Sequence, residues 1–365
     1  MRSLPSGRWQ ARYSDLTGER HTAPQTFARK TDAERFLTLT EADLARGEWI
    51  DPALGAVSFG EWAEEWRRTL VALRPSTRAR DEGYLQAVVV PAFGARSIGD
   101  IDHLAVRQWV ASLVADGRAP ATVVKIVQIL GQVLQLAADS GAIRSNPTRG
   151  VPRPRIESEE MRFLTPDEVA TLAQAIDRRY EALVWLGAYG GLRAGELFAL
   201  SGSRIDPLHR TVNVVESLVE VSGHHHLGPP KTKAGRRAVP VPSFVADRLA
   251  AHMAARAVQP NELVFPAPKG GPVRLSLWRR RFWYPAIEQA GVAPLRFHDL
   301  RHTAVAFWIA AGLTPLGIAR RAGHSSVVVV QDRYGHLLPG AEAQADAALE
   351  QMARLAGSGT SPSWR

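Results

Sequence analysis

Apolar positions along this chain recur in two rhythms, and the changes of rhythm mark its segments. GRWQARY alternates as a strand does, DLTGER reads as a turn, and HTAPQTFA as a second extended stretch. TDAERFLTLTEADLARG then reads as a helix, capped by Thr31 or Asp32 and ended by Gly47. DPALG makes a linker. From residue 57 to about 150 the period is helical: Phe59, Trp62, Ala63 and Trp66 share one face, as do Leu104, Trp109, Val110, Leu113 and Val114. Both stripes are predicted core. VVKIVQILGQVLQLAADSG is a longer helix with a glycine stop, and SNPTRGVPRPRIESEE, rich in proline and charge, is a second linker. Beyond it MRFLTPDEVATLAQAI carries the Thr-Pro-Asp-Glu start of a capped helix. RTVNVVESLVEVSG and RRAVPVP read as strands around a turn region in which His224, His225 and His226 form an exposed loop. Helices resume from Ser243, and GSGTSPSWR reads as a disordered tail. The pattern predicts a multidomain, mainly α protein with small β-sheets. A small β-sheet-plus-helix domain spans residues 1–56, a helical domain 57–152, an α+β domain 160–356 and a tail 357–365.

Composition narrows what those domains can do. The 365 residues exceed one ordinary core. There is no run of eighteen uncharged apolar residues, and MRSLPSGRWQARY has no apolar stretch of the signal-peptide kind. The absence of cysteine excludes disulfides and thiol chemistry and suits a reducing, cytoplasmic setting. A net charge of +9 points to a polyanion, nucleic acid first, although anionic membranes attract the same charge. Forty of the forty-five basic residues are arginine, so the lysine pair in PPKTKAGRR stands out, either by chance or because something beyond charge is wanted there. In the first thirty residues six basic side chains face only Asp15 and Glu19, with Trp9, Tyr13 and Phe27 interleaved. Arg8, Arg12, Arg29 and Lys30 are DNA-contact candidates on a small sheet, against an ordinary solvated face. Arg78, Arg80 and Lys125 in the helical segment are either phosphate contacts or solvent residues.

Three clusters in the C-terminal segment could carry chemistry. In GGLRAGELFAL, two glycines allow close backbone approach to a ligand, and Arg193 could grip a phosphate or simply pair with Glu196. In PKTKAGRRAVPV, Lys231 or Lys233 could donate a proton, because a lysine pKa can fall where an arginine's does not. The plainer reading is a basic hairpin touching phosphates. In FHDLRHTAVAFWIAAG, His298 and Arg301 project to one side of a helix, and ARRAGHSSVVVVQDRYGHL adds His324 and then Tyr334. His298 and His302 also have the spacing of a zinc-protease pair. There the glutamate position holds Asp299, too short to reach a metal-bound water, and no third ligand motif follows.

GLRAGEL, the strand lysine, HDLRH, GHSS and YGHL, in this order, resemble the catalytic domain of the tyrosine recombinase (phage integrase) family over residues 160–340. The resemblance implies catalytic roles for Arg193, Lys231, His298, Arg301, His324 and Tyr334. Tyr334 would be the nucleophile, the arginines would neutralise the phosphate and Lys231 would be the general acid. His298 would be base or proton relay, and His324 a donor to the phosphate. Lys233 joins the DNA-contact candidates. The resemblance further implies a helical core-binding domain over 57–152 and an arm-type DNA-binding domain over 1–56. The reaction would be site-specific cleavage and rejoining of DNA attachment sites through a 3′-phosphotyrosyl link, by a homotetramer, with a directionality factor or host DNA-bending protein as further partners. Two departures stand out: Ala322 occupies a position usually leucine, and the His324-to-Tyr334 interval is one residue longer than in many members. No cofactor, metal or ATP is expected, since there is neither a GxxxxGK[ST] loop nor an acidic metal cluster. A type IB topoisomerase or a recombinase without arm sites would share the site but not the N-terminal module. A regulator without activity should lack one of the six residues.

Overall fold

The structure, a computed structural model, describes residues 1–15, 17–47, 49–71, 73–157, 161–221, 223–230, 232–337, 346, 349–350 and 353–354. Lys231 and the predicted tail lie outside them. The chain divides into two compact units, Met1–Ser158 and Glu159–Arg365.

In the first unit, β1 (Arg2–Ser3), β2 (Trp9–Ser14) and β3 (Arg20–Phe27) form an antiparallel sheet in chain order. One face, with Ala11, Tyr13 and Ala23, packs on Ala33, Phe36 and Leu37 of α1 (Lys30–Arg46). Strand alternation turns Arg12 outward. The aromatic residues among the arginines therefore belong to the core side of the sheet, and Tyr13 bonds the Trp49 indole at 3.2 Å. The helix starts before both expected caps: Arg29 is the N-cap residue, without a side-chain bond, and Asp32 sits inside the first turn. Gly47 ends it in the left-handed conformation, as expected.

DPALG is a helix rather than a linker. Asp51 caps α2 (Pro52–Ala56) through its bond from Ala53 N, and the Asp51 amide bonds the carbonyl of Gly141 in the helical part. The first two predicted domains thus form one unit with two separate cores. The second core is built from α3 (Phe59–Thr69), α4 (Pro75–Tyr84), α5 (Val90–Phe93), α6 (His103–Ala115) and α7 (Pro120–Asp139). The Phe59–Trp66 stripe is buried, whereas Leu104 and Val114 face solvent because they sit off the narrower stripe Val106, Val110 and Leu113. Among the described residues α7 is the one helix long and apolar enough to cross a membrane, and eight of its residues are buried in this core. The second linker also begins later than expected: Asn146 bonds Gly131 O at 2.7 Å and Thr148 packs on Gly131, which pins this stretch to α7.

In the second unit, α8 (Pro166–Ala175) opens with a Thr165–Glu168 capping box. Helix α9 (Glu181–Gly190) is almost wholly buried, α10 (Ala194–Phe198) follows, and three strands, β4 (Ile205–Asp206), β5 (Thr211–Val214) and β8 (Arg237–Pro240), make an antiparallel sheet in the order β4-β5-β8. RTVNVVESLVEVSG is not one strand. It breaks after Val214, and β6 (Ser217–Val221) pairs with β7 (His224–Gly228) in a separate hairpin. The three histidines are thus strand residues, with the His225 ring half-buried. Helices α11 (Ser243–Ala255), α12 (Leu275–Trp278), α13 (Tyr284–Gln289), α14 (Asp299–Ala310), α15 (Pro315–Ala322) and α16 (Val328–Tyr334) complete the unit. Two π-helical turns, Leu85–Val89 and Arg279–Trp283, each precede a proline within the continuing helix, Pro91 and Pro285. Widening the turn accommodates a ring that would otherwise strike the preceding carbonyl.

Candidate active site

Helix α9 ends at Gly191, whose φ of 63° is left-handed and whose position leaves no room for a Cβ: it would lie 2.6 Å from the Trp308 ring. These glycines therefore serve a helix stop and a close approach to Trp308. The carbonyl of Gly191 then accepts from Arg301 Nη1 at 2.6 Å, and Ala322 O accepts from Nη2 at 2.6 Å. Arg193 leaves the same corner. Its Nη1 meets Glu196 Oε1 at 2.9 Å and its Nη2 meets Gly323 O at 3.0 Å. Both guanidinium groups are thus fixed against neighbouring carbonyls of one turn, 322–323, and each retains N–H donors for another acceptor. Gly323 ends α15 in the left-handed conformation, and the His324 amide bonds back to Ala319 O. The His324 ring is half-buried, with no partner on its enclosed Nδ1.

Tyr334, at the end of α16, is 1% exposed. Its hydroxyl lies 2.6 Å from Nδ1 of His302, which is 5% exposed and edge-to-face with His298 at 4.9 Å. The histidine that touches the tyrosine is therefore His302, while His298 sits at the open N-terminal edge of α14. His302 entered the sequence reading only as half of a zinc pair. In the structure its Nδ1 faces the phenol. Among the described residues, Asp15, Glu19 and His21 bring three metal-type ligand atoms together. Asp15 is already engaged there by His21 at 3.0 Å and by the Thr17 and Glu19 amides.

Electrostatics ask for an anion. Arg193, Arg237 and Arg301 surround one buried carboxylate, Glu196, so positive charge is in excess. Burial, then the Arg193 charge, pulls Arg301 down to about 9, still protonated at neutral pH. Burial pushes His302 and His324 each down to about 4. Guanidinium groups add to this, so His302 and His324 are neutral in the free protein. His298, whose ring is partly open to solvent, is lowered as well, by the enclosed part of its ring and then by His302 and Arg301. Burial raises the Tyr334 phenol, with Arg301 opposing. The site holds a neutral nucleophile, neutral bases and unmatched cations, an arrangement suited to attack on a phosphodiester.

The DNA-contact candidates lie where exposed charge can be offered. Arg8, Arg12, Arg29, Lys30, Arg78 and Lys233 are exposed, and Lys125 is half-buried, 3.8 Å from Asp81. Several are already engaged within the protein. Arg8 bonds Thr26, Lys30 pairs with Glu34 at 3.3 Å, and Arg78 pairs with Glu82 at 3.0 Å.

This fold and this cluster define a DNA strand-cleaving and rejoining enzyme, and comparison with known proteins gives the family. The phage integrase family model matches residues 162–340, the phage integrase central domain 59–152 and the phage integrase N-terminal domain 1–46. A protein of Mycobacterium tuberculosis that carries the name prophage phiRv2 integrase is 31% identical over 97% of this chain and 95% of its own. The Tn1549 transposon integrase, solved with transposon right end DNA, is 18% identical with a TM-score of 0.67, covering 81% of this chain and 100% of that one. A lambda integrase tetramer bound to a Holliday junction gives 16%, 0.55, 89% and 97%. The chain belongs to the phage integrase family of tyrosine recombinases, whose members cleave and rejoin DNA strands in site-specific integration.

Proposed function

We propose that Tyr334 is the nucleophile of an integrase that recombines attachment sites of a mobile element. The reading is carried by the convergence of Arg193 and Arg301 on the turn that presents His324, with Tyr334 held by a histidine four residues beyond His298 on the same helix. The Tyr334 oxygen bonds to phosphorus while the P–O5′ bond breaks, leaving a 3′-phosphotyrosyl link and a free 5′-hydroxyl. Arg193 and Arg301 neutralise the non-bridging oxygens, and His324 donates to one of them. The phenolic proton passes to His302, with His298 as its neighbour toward solvent. Lys231 protonates the leaving 5′-oxygen. Rejoining to a partner strand reverses these steps, and the covalent link conserves the bond energy.

By analogy with the lambda integrase tetramer, four copies would hold two duplexes. Residues 57–152 would grip the core site, and the outward arginines of the first fifty-odd residues would grip a flanking arm site, with a directionality factor or a host DNA-bending protein. The cytoplasm, on the nucleoid, is the setting. Tyr334→Phe tests the reading: it should bind core DNA as tightly as the parent and give no covalent adduct on a nicked suicide substrate. Adduct at normal yield would reject it.

A further inference from the structure

Arg237 drew no attention in the sequence beyond the general basicity of its segment, yet it is among the best-tied side chains of the second unit. It begins β8, and its side chain is 6% exposed. Nη1 and Nη2 fork onto the two oxygens of Glu196 at 3.2 and 3.0 Å. Nη1 also reaches Gly235 O at 3.0 Å, in the short turn Lys233–Gly235 that follows Lys231, and Nε reaches Arg321 O at 2.7 Å. One guanidinium thereby joins three segments: the carboxylate that holds Arg193, the lysine turn and the end of α15 that precedes His324.

The geometry leaves little latitude. A Cβ on Gly323 would lie 2.9 Å from Arg237 Nη1 and 2.9 Å from Ala234 O, so the His324 loop meets the lysine turn at backbone contact distance. Glu196 accepts from Arg193 as well, at its amide (2.8 Å) and at Nη1 (2.9 Å). Burial opposes the Glu196 charge, and the Arg237 bonds and charge outweigh it, so the carboxylate stays ionised. With its donors turned inward on these partners, Arg237 is not placed to grip DNA. Only a planar fork fills this position; a lysine carries the charge but cannot reach a carboxylate and two carbonyls together.

We propose that Arg237 is a positioning residue for strand cleavage, locking the turn Lys233–Gly235 in register with Arg193 and His324. The proposal rests on the reading of Lys231 as general acid. The test uses the full chain and suicide substrates with either oxygen or sulfur at the 5′ bridging position, since sulfur leaves without protonation. Arg237→Lys should bind core DNA like the parent and cleave the oxygen substrate about 10- to 100-fold more slowly. It should recover most of that loss on sulfur. Arg237→Gln, read the same way, serves if the lysine variant does not bind DNA. Equal losses on both substrates, no loss at all, or failure of both variants to bind DNA would overturn the proposal by making the residue structural. Lys231→Ala is the control: if sulfur fails to rescue that variant, the fault lies with the general-acid reading instead.

Discussion

Each catalytic candidate named in the sequence is of a type its chemistry requires, which is why the order Arg, Lys, His-Arg, His, Tyr could be read without coordinates. Lys231 carries the sharpest of these expectations. Replacing it with alanine should slow cleavage of the oxygen substrate by roughly 10²–10⁴-fold, whereas Lys233→Ala, at an exposed turn position, should change it only a few-fold. The reverse pattern would exchange their roles. His302 and Arg237 were not legible in this way. Nothing local says which ring of HDLRH meets Tyr334, thirty-odd residues on, or which arginine of GRRAV turns inward; packing between distant segments decides both. His302 also yields a pH prediction. Its folded pKa of about 4 lies below the ordinary 6.5, so the unfolded chain takes up the proton first. Its contribution to stability is therefore complete above about pH 6.5 and is lost as the pH falls toward 4. The parent should lose stability across that window, by at most about 3 kcal/mol from this residue. His302→Phe should show a shallower slope in denaturant titrations, and an unchanged slope would remove His302 as the cause.

Elements were legible where local signals agree with the packing. The Thr165–Glu168 box, the Gly47 stop and the Phe59–Trp66 stripe are of this kind. They were misread where the same letters serve two purposes. DPALG has linker composition, but an aspartate before a proline also starts a helix, and Leu54 and Gly55 rest against the bundle. VNVVESLVEV is one run of strand-forming residues, yet the chain changes sheets in its middle. The link between α9 and α10 is the element most exposed to a single change. Gly191→Ala must place a side chain at a left-handed φ and 2.6 Å from Trp308, while the Gly191 carbonyl holds Arg301. The variant should be destabilised by at least about 1–2 kcal/mol and should cleave poorly even where it remains folded. Denaturant unfolding and suicide-substrate cleavage measure the two effects separately. Parent-like values in both would show that the corner is more yielding than its contacts indicate.

On the scale of the whole molecule, the sequence predicted three domains and the chain shows two compact units, the first with two cores. The sequence sets a boundary at residues 56–57, and what it does not show is that α2, just before that point, is tied to the helical part, because the backbone bond from Asp51 to Gly141 is a contact some ninety residues away. A truncation that tests the arm-binding proposal should therefore keep α2 and remove only residues 1–46. That protein should still form the Tyr334 adduct on a core site and should lose recombination that requires flanking DNA. Arm binding by the intact chain should weaken steeply with salt, since phosphate contacts dominate it. Equal recombination with and without residues 1–46 on every substrate would contradict the arm-site role. The chemistry itself is tested most directly by trapping the covalent intermediate on a nicked suicide substrate, digesting the protein and locating the DNA-linked peptide by mass spectrometry. The nucleotide should be found on Tyr334 through a 3′-phosphate; attachment at any other residue, or through a 5′-phosphate, would contradict the mechanism.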